Sequence, residues 1–308
     1  MRLALVLLFA LTTTNAFADA KYKRTATKTV IPELITAERA WASASGEKEP
    51  RAAVIAWEAA ALAFDGAVGK AGAAKVEAAY AAVLAWKNAM ALDPIAVPPA
   101  GSNTATPLTA RGTNMLASLL VYSKLAPPDE VPGLLFLRAH ILHRHRKHDE
   151  SVPIFVEIVT RYPEHETAEY AANLILDSLN LQGKYDLLAQ WVDTFRANKK
   201  LLAKRPDLAS LLAKLHIQVL RKRAEVFEAS GGKTQDGYRK CAQTYVEAFD
   251  ANPGYERADE LLYNAGVCFE RAGEISEAVK LFTAVTKLSR SPLAANARAR
   301  VERLRPSP

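Results

Sequence analysis

The chain has 308 residues, half of them apolar and only 14 of them glycine, with 40 basic against 33 acidic side chains. That composition fits a folded, mostly helical body with ample chain for an extended core, and past the amino terminus no apolar run is long enough to cross a bilayer. The positive balance modestly favours acidic partners or anionic surfaces, an attraction that speeds encounter more than it strengthens binding.

Residues 1–20, MRLALVLLFALTTTNAFADA, combine one positive charge, a short apolar run from Leu3 to Leu11 and the small-residue pattern Ala16-Phe17-Ala18. This is the layout of a cleaved secretory signal peptide, so residues 1–18 are expected to be removed, with Ala20 as the second choice of cleavage site. No cysteine follows the apolar run, which argues against a lipid anchor, and the mature protein is expected to be exported and periplasmic. The basic stretch KYKRTATK reads as a solvated tail leading into a first short helix, which together fill residues 19–50.

Residues 51–92 read as an Ala-rich helical pair. Trp57, Phe64, Tyr80 and Trp86 are spread among alanines so that apolar residues nearly encircle each helix axis, which implies burial on two sides. The next stretch, 93–113, DPIAVPPAGSNTATPLTARGT, is rich in proline and small polar residues and is expected to be a loop or linker.

From residue 114 onward helical periodicity recurs. Leu135, Ala139 and Leu142 share one face of a first helix, and Ser151, Phe155 and Ile158 share one of a second that ends before Pro163. Leu176 and Leu179, then Leu188 and Val192, repeat the arrangement around Gly183. A long helix from about Leu208 to Glu228 carries Leu208, Leu212, Leu215, Val219 and Val226 on one side, and the polar loop SGGKTQDG separates it from Cys241, Tyr245 and Ala248. In residues 259–292, Tyr263, Gly266 and Phe269 precede a break at Gly273, and Ala278, Phe282 and Val285 precede Pro292. Glycine is needed where two helices touch or the backbone turns, and bulky residues recur at offsets of three and four because only those share a face.

This spacing resembles the tetratricopeptide repeat, a 34-residue helical hairpin, over roughly residues 131 to 305. The loop SGGKTQDG is longer than the repeat requires, so that unit departs from the pattern at its inner turn. The resemblance implies an all-α solenoid of antiparallel helix pairs over residues 114–308, closed by a capping helix. The last segment suits the cap, with Leu293, Ala297, Val301 and Leu304 on one stripe and Arg298, Arg300, Arg303 and Arg305 elsewhere.

The resemblance also implies a binding function. In that family the first helices line a concave groove, and the register places Phe136, His140, His143 and Arg144 there, with Asn173, Asp177 and Asn180 in the next unit and Tyr263, Asn264 and Glu270 in the last. Some such grooves hold a partner's acidic tail, and arginine suits that task because its planar donors match a carboxylate at two points. The partner implied is a protein, with an acidic segment as the candidate ligand. Stretches such as ADELLYNAGVCFERAGEISEAVKLF are similar in texture to periplasmic repeat proteins of myxobacterial-type Gram-negative envelopes, which points to envelope assembly or motility machinery.

Other readings of the same residues stay open. Cys241 and Cys268 sit on elements that pack together in a repeat stack, where they could form a disulfide or fill small slots as free thiols. The histidine-rich stretch from Arg138 to His148 could belong to a solvated helix end. A zinc site is not expected there, because it needs a fixed tetrahedral ligand set and the neighbouring arginines would repel the ion. Nucleic acid is not expected either, since no aromatic residues interleave with the charges. No catalytic motif is evident, so a non-enzymatic scaffold without a cofactor is the leading expectation. The alternative is an envelope enzyme or glycan-binding protein whose site is made by the Ala-rich amino-terminal helices, around Trp57, Tyr80 and Trp86, and the 93–113 loop, with the repeats as carrier.

Overall fold

The computed structural model describes residues 31–94, 104–230, 234–288 and 291–305. The expected signal peptide, the basic tail, the middle of the proline-rich stretch and residues 231–233 of the polar loop lie outside these. Among the described residues there are fourteen α-helices and no strand. The chain divides into two compact units, residues 1–178 and 179–308. The division falls inside a helix well downstream of the proline-rich stretch.

The first unit contains α1 (Pro32–Gly46), α2 (Pro50–Val68), α3 (Lys75–Leu92), α4 (Ala110–Ser123), α5 (Val131–Arg144), α6 (His148–Arg161) and most of α7 (Thr167–Leu181), with a 3-10 turn at Gly72–Ala74. Prolines in the first turns of α1, α2 and α5 start those helices without losing a hydrogen bond, since the first amides have no intrahelical acceptor. The Glu49 side chain accepts from the Ala52 amide at the start of α2. Thr109 does the same for Gly112, so α4 begins at Ala110, inside the stretch expected to be linker.

Alanine dominates the packing of α1, α2 and α3. Ala60, Ala61, Ala78, Ala81, Ala82 and Ala85 are fully buried, and their small side chains let the helices approach closely around Phe64 and Trp86. Nine residues of α3 are buried, on more than one side of the helix, as the encircling apolar pattern implies. Burying Phe64 alone contributes roughly 1.5–3 kcal/mol.

Two pairs of alternate helices run parallel. Glu58 meets Arg111 and Asp65 meets Ser118, so α2 and α4 advance in the same direction through two turns. Phe136 meets Tyr170 and His143 meets Asp177, which sets α5 and α7 in the same relation, with both pairs 34 residues apart.

The second unit holds the end of α7, then α8 (Tyr185–Ala197), α9 (Lys199–Leu202), α10 (Pro206–Ser230), α11 (Gln235–Ala251), α12 (Ala258–Arg271), α13 (Ile275–Lys287) and α14 (Ala294–Leu304). Ile217, Leu220 and Ala224 of α10 pack with Tyr245 of α11 and Leu261 and Ala265 of α12. Val226, expected on that buried stripe, is 45% exposed, because Ala224 and Phe227 face the α11–α12 core at this end of α10. Cys241 and Cys268 are bonded as a disulfide that ties α11 to α12, with their Cα atoms 6.0 Å apart.

Gly266 explains how α12 and α13 meet. A Cβ at this position would lie 2.8 Å from Phe282 Cε1, so only glycine lets the ring cross the helix there. Three tight turns share one device: Arg146, Gly183 and Gly273 have φ of 59°, 67° and 79°, and each stands two residues before the next helix. Glycine takes this left-handed conformation readily, whereas arginine does so only under strain.

Candidate partner-binding site

The spacing of four and seven along α5 puts Phe136, His140 and His143 on one stripe, and α7 answers with Tyr170, Asn173 and Asp177. The Phe136 ring is stacked on His140 at 5.8 Å between centroids and lies 6.1 Å from Tyr170 and 5.8 Å from Phe155. His143 Nε2 is 3.5 Å from an Asp177 oxygen. His143 and Asn173 are both buried. Arg144 is exposed at its edge, and Phe136, His140 and Asp177 are half-buried. Tyr170, 36% exposed, belongs to the same surface.

The charge of this surface comes from arginine and lysine. Burial, reinforced by His143 and Arg144, pushes His140 down to about 4. Burial also pushes His148 down to about 4, with help from His143 and Arg146. Both imidazoles are therefore neutral near pH 7, and the positive field is that of Arg144, Arg146 and Lys147, the last paired with Glu150 at 2.7 Å. His145 serves structure: its Nδ1 lies 3.0 Å from the Thr106 hydroxyl, and its carbonyl accepts from the Thr106 amide.

The remaining candidate residues lie elsewhere. Asn180 is half-buried in the last turn of α7, on the second unit's side of the division. Tyr263 and Glu270 are engaged by the carboxy-terminal helix. Arg300 Nε donates to the Tyr263 hydroxyl at 2.9 Å, and Arg300 and Arg303 donate to Glu270 at 2.5 and 2.6 Å. The Arg300 guanidinium also lies 5.4 Å from the ring centroids of Tyr263 and Phe282. Asn264 hydrogen-bonds Tyr245, whose hydroxyl is pushed up to about 12 mainly by burial. The structure thus gathers Phe136, His140, His143, Arg144, Asn173 and Asp177 in one place and puts the other four candidates in the second unit.

Two further features bear on chemistry. Glu228, Cys241 and Cys268 are the single group among the described residues with three potential metal donors within 4.8 Å of one another, and both sulfurs belong to the disulfide. In the Ala-rich region Asp65 accepts from Trp86 Nε1 at 3.0 Å and from the Ser118 hydroxyl at 2.7 Å, and burial pushes its carboxyl upward. Trp41 and Trp57 meet edge-on at 4.8 Å, and Tyr80 lies 5.5 Å from Tyr122. Those aromatics are packed against the core cluster of the first unit.

Tyr170, and the Asp65 and Ser118 partners of Trp86 in the Asp65–Trp86–Ser118 knot, are not singled out in the sequence. Tyr170 had a signal, since it stands one 34-residue period after Phe136. The knot had none, because Asp65 and Ser118 are 53 residues apart in unrelated-looking segments. No family model matches the chain, and no curated protein matches it.

Proposed function

We propose that this protein is a non-enzymatic, tetratricopeptide-like helical scaffold that binds an acidic segment of another protein at the α5–α7 surface. The observation that carries the reading is the pair of contacts Phe136–Tyr170 and His143–Asp177, each bridging 34 residues between parallel helices. A 34-residue hairpin stacked on its neighbour brings equivalent first-helix positions together in this way. The left-handed residue before α6, α8 and α13 supports the same repeat.

The chemistry of the surface argues for the ligand. Arg144 is exposed beside the partly exposed Phe136, His140 and Tyr170, a combination of a forked cation and aromatic faces that suits a carboxylate flanked by apolar groups. Export to the periplasm after loss of residues 1–18 belongs to this reading, and the Cys241–Cys268 disulfide is compatible with an oxidising compartment. Envelope assembly or motility machinery is the corresponding setting. The rival site among Trp57, Tyr80 and Trp86 draws less support, since Trp86 is 1% exposed and the nearby carboxylate of Asp65 is engaged by Trp86 and Ser118.

Capture from envelope extract on immobilised protein tests the proposal. Wild type is expected to retain a protein bearing an acidic segment and to release it with rising salt, while Arg144→Glu retains little and melts like wild type. Undiminished capture by a folded Arg144→Glu protein would move the binding surface elsewhere.

A further inference from the structure

Four of the six histidines lie between residues 140 and 148, at the junction of α5, α6 and α7. His148 opens α6 and is 6% exposed, with its ring edge-on to His143 at 5.2 Å. Its Nδ1 lies 3.1 Å from the Ser178 hydroxyl oxygen, which in turn lies 2.7 Å from the Leu174 carbonyl. A hydroxyl has one proton, and the shorter contact takes it. Ser178 therefore donates to Leu174 and accepts from His148, which fixes the neutral imidazole as its Nδ1–H tautomer. The lone pair of His148 is then on Nε2, a buried atom without a hydrogen-bond partner. His143 Nε2 and Asn173 Oδ1, from α5 and α7, are buried without hydrogen-bond partners as well.

Any further proton on His148 must sit on Nε2. The charged and titratable groups facing that ring are His143 from α5, Arg146 from the turn, Asp149 from α6 and Asp177 from α7. Two acids are in range, but Asp177 is drawn toward His143 and the ring itself is buried, so an imidazolium there gains little in exchange for its lost hydration. His140, stacked on Phe136 with His143 and Arg144 on its own helix, is disfavoured as a cation for the same reasons. The turn joining these helices already carries Arg146 in the left-handed region. A cation is not the occupant we choose, because His143, His148 and Asp177 do not bring three donors within 4.8 Å of one another.

We propose that this junction is an acid-operated joint, in which proton uptake by His148 and His140 loosens the α5–α6 turn from α7 while α2 and α3 keep their packing. The direction follows from linkage. An unfolded histidine titrates near 6.5, and both groups lie near 4 in the folded chain, so the open form binds more protons between those values. Stability from the junction is complete above about pH 6.5 and is lost as pH falls toward 4. The Ala-rich helices respond in the opposite sense, since their buried carboxyl, Asp65, is pushed upward and protonation relieves it. This joint does not depend on the partner reading.

Amide hydrogen exchange on the full chain at pH 7.5 and pH 5, corrected for intrinsic rates, tests the proposal. Protection across the end of α5, the start of α6 and the first turns of α7 is expected to fall at least about tenfold at the lower pH, with no fall in α2 and α3. His148→Gln, which keeps a neutral hydrogen-bonding side chain and takes no proton, is expected to remove a large part of that fall. Nitrogen NMR of the wild-type histidine rings gives a second readout: His148 is expected to show the Nδ1–H tautomer and to remain neutral at pH 6. Protection that is independent of pH, a fall shared equally by α2 and α3, or an imidazolium at residue 148 at pH 6 would each overturn the proposal.

Discussion

The α5–α7 seam and the α12–α14 seam solve one packing problem with different polar chemistry. At α12–α14, Arg300 and Arg303 reach the Tyr263 hydroxyl and the Glu270 carboxylate, while Ala297 and Val301 are buried beneath them. At α5–α7 the position equivalent to Glu270 holds His143, and its Nε2 and that of His148, at the start of α6, are buried without hydrogen-bond partners. The turns differ in the same sense, with Gly273 in the left-handed region before α13 and Arg146 before α6. The α12–α14 seam satisfies its donors and has glycine at its left-handed turn. The other seam keeps a strained turn and unpartnered buried polar atoms beside an exposed arginine.

Substitutions can break this contrast, beginning with the better-packed side. Gly266→Leu drives a side chain into the Phe282 ring at the α12–α13 contact and is expected to cost roughly 1–3 kcal/mol in chemical denaturation. An unchanged denaturation midpoint would mean that α12 and α13 do not cross at this residue. Arg146→Gly has a smaller effect of opposite sign, since it relieves the left-handed strain and should raise stability by about 1 kcal/mol. A loss of stability in that variant would show that the arginine side chain contributes more than its backbone costs.

Much of the helical organisation is legible in the residues. The buried stripe Ser151–Phe155–Ile158, the buried pair Ala297 and Val301 of α14 and the breaks at Gly183 and Gly273 follow from helical periodicity and from glycine's freedom in turns. The start of α4 was missed because composition outweighed a single capping residue, Thr109, whose effect depends on the local backbone. The candidate site was legible in part. Spacing placed Phe136, His140 and His143 on one face, but it did not show that His143 and Asn173 face inward. Nor did the register anticipate that Tyr263 and Glu270 would be taken by Arg300, because periodicity assigns a face to a helix without naming the neighbour that covers it.

The central claim is that the α5–α7 surface, rather than the arginine-bearing carboxy-terminal helix, receives the partner. Site-specific photo-crosslinking in native envelope extract tests it directly, with the reactive side chain at position 170 in one protein and at the exposed position 298 in another. The account predicts a specific adduct from position 170, weakened by added Arg144→Glu, and none from position 298. An adduct formed from position 298 alone would contradict it.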